Sequence, residues 1–454
     1  MYLSAISLDN LVNQAMEKSP QMTTLELNKN YTMLSLESTE LEEKTKISLS
    51  SDVEIPSSDE YIITGGTEGL VRVDIPGSYT SIYPDQVSNT TSIVLNGGIY
   101  NTDDIDDYIG SIALSHNFLI GDYTNNYKTL NNQITSLKAT QAYETGVINF
   151  KKNIYSIVSS IIENEKSQRD IEKKIKDQEK LISDSLSLNQ MTENSLLYRQ
   201  YNLVLETYED ALENLKIQYD SYLQNFKDYT GLDYDKVDVI REPNLDIDNE
   251  DRDSLSVQIA QLDVKLKQDA IDQVEREKTQ SYLNLNSLVA NNYVNDNLDI
   301  AVGASYNTDN FSVNLKPQLT IDLSNNSVSP SFSFGGKWTN DTTTDKDIIQ
   351  NKLNENELVA AQLVLNSEIQ SQSLTTLNLK SQVTNWKAQY KQLNDNIKFK
   401  NENLILQNQM FDLGLVSQSD IDELVFEIEQ LDYDRLVLLI DGLTIELEIE
   451  KMYL

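Results

Sequence analysis

The stretch FDLGLVSQSDIDEL, Phe411 to Leu424, interrupts what otherwise reads as unbroken helix. Gly414 is the first glycine after Gly336, and no proline lies between them. A glycine there supplies the left-handed backbone that ends a helix. Three residues later Ser417 offers an N-cap, and Ser417-Gln418-Ser419-Asp420 is a capping-box pattern with Asp in the third place. The stretch therefore reads as a helix stop, a short step and a helix start, which is the tip of an antiparallel helical hairpin. The interval from Gly146 to Gly231 also holds no internal glycine or proline. Within it Asn189, the usual substitute for glycine in the left-handed position, is followed three residues later by Thr192. The spacing predicts a second tip there, with Thr192 as its N-cap.

The arms of these hairpins carry seams. Tyr201, Leu205, Tyr208, Leu212, Leu215, Tyr219, Tyr222, Phe226 and Tyr229 follow alternating steps of four and three. Ile421, Leu424, Ile428, Leu431, Leu438, Ile445, Ile449 and Met452 keep the same frame, interrupted by Arg435 and Gly442. Such spacing is that of a coiled coil, so the tyrosines read as packing. A continuous helix from Asp122 to Leu188 would be ~100 Å long.

Most of the remaining glycines and prolines fall in two zones, 47–121 and 282–339, and there the period changes to two. Phe311, Val313, Leu315, Pro317, Leu319, Ile321 and Leu323 alternate with polar residues, as do Leu298, Ile300, Val302, Ala304 and Tyr306. Val328, Pro330, Phe332 and Phe334 make a third series that closes on Trp338. Strands of ~9–11 residues with one apolar face suit a membrane β-barrel with a wet lumen. They equally suit a soluble sheet, and alternation alone does not separate the two.

The order helix, strands, long helix, turn, helix occurs twice. The first copy spans 1–245, with helix 7–46, strand zone 47–121 and helices 122–188 and 192–230. The second spans 246–454, with helix 250–280, strand zone 282–339 and helices 341–412 and 417–453. The duplication predicts both strand zones at one end of the molecule and both tips at the other.

Composition excludes several functions. Lys and Arg number 36 against 72 Asp and Glu, a net charge of −36, which argues against nucleic acid or an anionic membrane surface as partner. There is no cysteine, so disulfides and thiolate metal sites are ruled out, and the single histidine, His116, rules out a histidine metal cluster. His116 reads as a sheet residue, and the pairs Asp103-Asp104 and Asp106-Asp107 read as a solvated loop. No apolar run approaches the ~18–20 residues of a membrane-spanning helix. MYLSAISLDN lacks a basic n-region and a long apolar core, so either the protein stays inside the cell or this is a mature form with its signal removed. No nucleotide, metal or nucleophile motif is present, so neither an enzyme nor a cofactor is expected.

With these features in place, the chain resembles the TolC family of outer-membrane efflux and secretion channels. The residues that carry the resemblance are SLDNLVNQAMEKSP (Ser7–Pro20), DSLSVQIAQLDVKLKQDAIDQVEREK (Asp253–Lys278) and FDLGLVSQSDIDEL, in which Phe411, Gly414, Ser417, Asp420 and Leu424 stand in or near the family's places. The resemblance implies a mixed α/β membrane protein: a trimeric tunnel in which a long helical coiled-coil barrel continues a transmembrane β-barrel. It implies an exit duct in the outer membrane of a Gram-negative (diderm) bacterium, extending into the periplasm and in contact with outer-membrane lipid. Such a duct serves tripartite efflux or type I secretion. Small molecules or proteins pass through it passively, and it is gated at the coiled-coil tips. The implied partners are two further copies of the chain, a periplasmic adaptor and an inner-membrane pump of RND or ABC type. The family's acidic entrance ring carries over to Asp420 and Glu423, and adaptor docking to the turns at Asn189, Thr192, Gly414 and Ser417. The first copy has Ser195 and Tyr198 at the ring offsets, so no second ring is expected. The family expectation is two strands per copy, yet both zones are longer. LVRVDI (Leu70–Ile75) and SIVLNGGIY (Ser92–Tyr100) add strand-like runs that are either loops with local hairpins or a larger sheet. The rival reading is an acidic coiled-coil structural or adhesive protein of the cell surface.

Overall fold

The computed structural model describes residues 6–41, 46–54, 65–76, 90–102, 105–120, 126–247, 252–277, 280–292, 296–308, 311–338 and 344–454. In chain order the elements are β1 (Ile6–Ser7), α1 (Leu8–Lys18), α2 (Pro20–Leu41), β2 (Lys46–Glu54), β3 (Gly65–Pro76), β4 (Thr90–Thr102), β5 (Ile105–Ile120), α3 (Tyr127–Ser187) and α4 (Leu196–Thr230). There follow β6 (Val237–Val239), α5 (Leu255–Glu277), β7 (Ser281–Asn292), β8 (Asn297–Thr308), β9 (Phe311–Asp322), β10 (Ser327–Trp338), α6 (Thr344–Asp412) and α7 (Gln418–Met452). The two stretches without glycine or proline hold α4 and α6 entire and most of α3, which begins earlier and runs through Gly146.

The expected single helix over 7–46 is instead α1 and α2, and Lys46 already begins a strand. Pro20 explains the break. It takes the first helical position of α2, where a missing N–H costs nothing, and Ser19 before it is extended (φ −72°, ψ 126°). The chain divides into two units, one made of 32–136 and 259–366, the other of 1–31, 137–258 and 367–454.

The first of these holds an eight-stranded sheet in the order β10-β9-β8-β7-β5-β4-β3-β2, antiparallel at every junction. Each strand zone contributes four strands, not the two that the resemblance implies. Leu70–Ile75 lies in β3 and Ser92–Tyr100 in β4, so both runs are sheet. Asp106 and Asp107, expected in a loop, instead lie in β5, which starts at Ile105. Asp103 and Asp104 lie outside the described residues.

Register puts the apolar series on one face. Ile112 of β5 lies opposite Leu95 and Val289, Leu285 of β7 opposite His116 and Ala304, and Tyr306 of β8 opposite Leu283 and Val313. Leu315 of β9 lies opposite Ala304 and Phe334, and Trp338 opposite Phe311. Many of these side chains are exposed, with Phe332, Phe334 and Trp338 at 68%, 67% and 75%. His116 sits on this face with its ring edge-on to Phe118 at 4.3 Å. The other face is polar. Asn284 lies opposite Asn117 and donates to it (2.6 Å), and Asp299 accepts from Thr320 (2.5 Å) and Gln318 (3.2 Å). Pro317, with strands on both sides, has no N–H to give. Accordingly the β8–β9 pairing breaks after Ala301 and resumes at Ala304, opposite Leu315.

The other unit is helical. Phe150, Ile154, Val158 and Ile161 of α3 are fully buried, as is Phe226 of α4. They pack in one core with Leu8, Leu11, Val12 and Ala15 of α1, Leu379, Val383 and Trp386 of α6, and Leu439, Ile440, Leu443 and Leu447 of α7. β1 pairs in parallel with β6. Arg241, just past β6, forms a two-pronged bond to Glu446 (2.7 and 2.8 Å) and reaches Asp9 at 3.1 Å. The break in the α7 seam at Gly442 has a packing cause. A Cβ there would stand 2.6 Å from Pro243 Cγ and 2.7 Å from Trp386 Cε2, while Trp386 Nε1 donates to the Leu438 carbonyl at 2.7 Å.

Candidate functional site

Both helical hairpins close in the same way at their first corner. After α6, Gly414 has φ +74°; its N–H donates to Phe411 O (2.8 Å) and that of Leu415 to Met410 O (2.9 Å). After α3, Asn189 has φ +52°; its N–H donates to Leu186 O (3.1 Å) and that of Gln190 to Ser185 O (2.9 Å). Each is a Schellman motif, which satisfies carbonyls that the helix end would leave without partners.

The restarts differ. Ser417 caps α7: its Oγ accepts from Asp420 N–H (3.3 Å), and the Asp420 carboxylate accepts from Ser417 N–H (2.9 Å) and Oγ–H (2.7 Å). Those bonds hold the exposed Asp420 carboxyl below the usual carboxylate range. Thr192, by contrast, is not the N-cap of α4. That role falls to Ser195, whose Oγ accepts from Tyr198 N–H at 3.1 Å, while Thr192 supplies only the carbonyl to which Ser195 N–H donates (2.9 Å). The first tip is therefore three residues longer from left-handed residue to cap. Met191, within that longer loop, is 5% exposed. No periodicity flags one buried residue in a loop, whereas Ser195 was visible as a cap-type residue.

Glu423 is not free. Its carboxylate receives Lys173 Nζ of α3 at 2.5 Å, and Lys173 also reaches Asp177 (2.9 Å) and lies 5.1 Å from the centre of the Phe426 ring. The hydrogen bond to Glu423 raises the Lys173 amine above its ordinary value. Further pairs continue along the same two helices: Arg169–Glu429 (2.9 Å), Lys166–Asp434 (2.5 Å) and Lys152–Glu448. α3 supplies the cations and α7 the anions, while α6 adds Lys400–Glu427 (2.6 Å). Lys166, Arg169 and Lys173 are three and four residues apart, so their common face was readable. Which helix they meet was not.

The structure thus brings Glu423 to α3 and Asp420 to Ser417, within one unit. Among the described residues no group of acidic or histidine side chains could hold a metal ion, and no helix is long and apolar enough to cross a membrane.

No protein-family profile matches the sequence, and no curated protein matches it. Solved structures do align with it. The outer membrane protein VceC of Vibrio cholerae does so over 98% of this chain and 95% of that one, at 9% identity and a TM-score of 0.49. The CmeC outer membrane channel of Campylobacter jejuni aligns over 98% and 85%, at 10% identity and a TM-score of 0.47. The outer-membrane channel OprN aligns over 98% and 90%, at 8% identity and a TM-score of 0.49.

Proposed function

We propose that this chain is a TolC-like outer-membrane exit duct, a homotrimer serving a tripartite efflux or type I secretion system. The observation that carries the reading is the sheet. Its strands reach 12 to 16 residues in β5 and β7–β10, long enough to cross a bilayer at a tilt, and one face is rich in exposed apolar side chains while the other is mostly Ser, Asn, Gln and Thr with Asp299, Lys316 and Lys337 among them. A water-soluble sheet would cover that face, because exposed apolar surface of this extent is unfavourable in water. In the reading, the apolar face meets outer-membrane lipid and the polar face lines a wet lumen. The repeats 1–245 and 246–454 supply matching halves of barrel and tunnel. The long hairpins form the periplasmic tunnel of a diderm cell, gated at their tips. An adaptor docks at the turns around Asn189, Thr192, Gly414 and Ser417, and an inner-membrane pump supplies the energy. Transport through the duct is passive and needs no covalent chemistry.

Asp420 and Glu423 are the acidic residues of the entrance. Because Lys173 offsets Glu423, Asp420 carries the larger share of the unpaired negative charge. Purified protein in a planar lipid bilayer tests the whole reading. Discrete cation-selective steps that millimolar divalent cations reduce are expected, with Asp420→Asn lowering the selectivity more than Glu423→Gln. A water-soluble elongated particle that neither inserts nor conducts overturns the duct in favour of an acidic coiled-coil surface protein.

A further inference from the structure

The polar face of the sheet carries charges of both signs, and the strands sort them by position. β2 and β7 begin, and β5 and β10 end, on the side from which the chain runs on to helices, so the turns after β7 and β9 lie at the far end. In the half nearer the helices register places Lys46, Arg72, Lys316 and Lys337 on this face, with one acid, Asp74, directly opposite Lys46. In the far half it places Asp52, Glu54, Glu68, Asp107, Asp299 and Asp322, and no cation. The two halves thus hold net charges of +3 and −6. Lys316 lies opposite Ser333 and Lys337 opposite Ser312; both lysines are exposed, and neither forms an ion pair among the described residues. Asp299 takes its hydrogen bonds from Thr320 and Gln318, and Asp322 from the N–H groups of Ser324 (2.9 Å) and Asn325 (3.1 Å), so only neutral donors meet them. Leu323 N–H donates to Asp296 O (2.6 Å), which brings another exposed acidic residue to the far end.

We propose that this face is a two-zone charge filter, a cationic collar on the helix side and an acidic mouth at the far end, which makes ion flow through the duct depend on its direction. The proposal rests on the duct reading, which turns the polar face toward the lumen. Lys337 stands opposite Ser312, ten positions along β9 from Asp322, which is about 33 Å at about 3.3 Å per residue. Screening in 0.1 M salt acts over about 10 Å, so the zones work separately instead of cancelling. Lumen-facing charges on barrel strands tune selectivity, and a wall of one sign gathers its counter-ions. Anions arriving from outside are repelled at the mouth. Cations that gather there meet the collar next. Cargo that is neutral, or that carries both signs, crosses the two zones at the least cost. Fixed charges change the barriers and not the end states, so transport stays passive.

The test is the current of the purified full chain, inserted from one side of a planar bilayer, in KCl. Unequal currents at opposite polarities are expected in about 0.1 M salt and equal ones in about 1 M, where screening acts over about 3 Å. Lys316→Gln with Lys337→Gln should remove most of the inequality and, under a salt gradient, shift the reversal potential toward cation preference. Asp296→Asn with Asp299→Asn should also reduce the inequality but shift the reversal potential the other way. Opposite shifts from the two pairs are a signature that tunnel shape or the tip carboxylates do not produce. Asn suits the left-handed backbone of Asp296 (φ +50°), so Asp296→Asn alone carries the acidic arm if the change at Asp299 prevents folding. Conducting channels whose current ratio and reversal potential move with neither set of variants overturn the filter and leave the duct. A folded protein that does not conduct overturns the duct reading, and the filter with it.

Discussion

α4 and α7 are both 35 residues long, both the returning arm of a hairpin, and both carry a seam in steps of three and four. On α4 shelter follows that seam: Tyr201, Leu205, Tyr208, Leu212, Leu215, Tyr219 and Tyr222 are partly covered, while Leu196, Leu203 and Ile217 stand 73%, 64% and 62% exposed. α7 is sheltered at nearly every position from Phe426 to Ile449. The seams alike bring each arm to its own hairpin partner. α4 is held by α3, through Gln178 to the Tyr201 carbonyl (3.0 Å), Tyr219 to Glu165 (3.0 Å) and Asn153 to Tyr229 (2.9 Å). α7 meets α6 at Lys400 and Trp386, α3 along the ion pairs, and the segment after β6 at Arg241 and Pro243. A seam thus specifies one neighbour, and what covers the rest of a helix is decided elsewhere in the chain. In the duct reading, the uncovered side of α4 awaits another copy.

The sharpest way to break this contrast is truncation. Ile440→Ala, at a site 2% exposed on α7, should cost about 2–5 kcal/mol in denaturant unfolding. Leu203→Ala on α4 should stay within about 0.5 kcal/mol in the dissociated chain. Equal costs in the dissociated chain would mean that α4 is as well covered as α7. Gly442→Ala comes next. Overpacking against Pro243 and Trp386 should cost about 1–3 kcal/mol and change the near-ultraviolet circular dichroism of Trp386, and an unchanged signal would deny the close approach.

At the tips, the comparison turns on the cap. Ser195→Ala should cost about 1 kcal/mol and Thr192→Ala markedly less, read by amide exchange at the start of α4, and the reverse order would restore Thr192 as the N-cap. The smallest effects are electrostatic. A double-mutant cycle on Lys173 and Glu423 should give about 0.2–1 kcal/mol, since Glu423 is 57% exposed, and the coupling should shrink in salt. The sign of the pH response differs between Asp420 and Lys173, the partner of Glu423. The depressed Asp420 value makes its cap complete above the unfolded carboxyl range and lost as pH falls through the folded value. Lys173, raised, contributes below the unfolded amine's value and fades only as pH rises through the folded one. Mild acid should therefore leave Lys173 charged, and only strong acid should speed amide exchange at Ser417 and Asp420.

What the sequence determined by itself was whatever depends on local backbone chemistry and period. Gly414 and Asn189 mark left-handed stops because few other residues adopt that conformation cheaply. The seam of α4 and the strand faces of β8, β9 and β10 follow from spacings of 3.5 and 2, and the capping box from Ser417 and Asp420 three residues apart, all of which a single element displays alone. Tertiary structure decided the rest. At the first tip the cap is Ser195 and not Thr192, and Met191 in the loop before it is buried, a burial that no local spacing announces. Lys173 meets Glu423 only because α3 and α7 lie side by side. Gly442 breaks the seam to admit Trp386 from another helix. Eight strands form one sheet where the resemblance implies half as many, since strand pairing is a contact between distant segments and leaves no mark on either one alone.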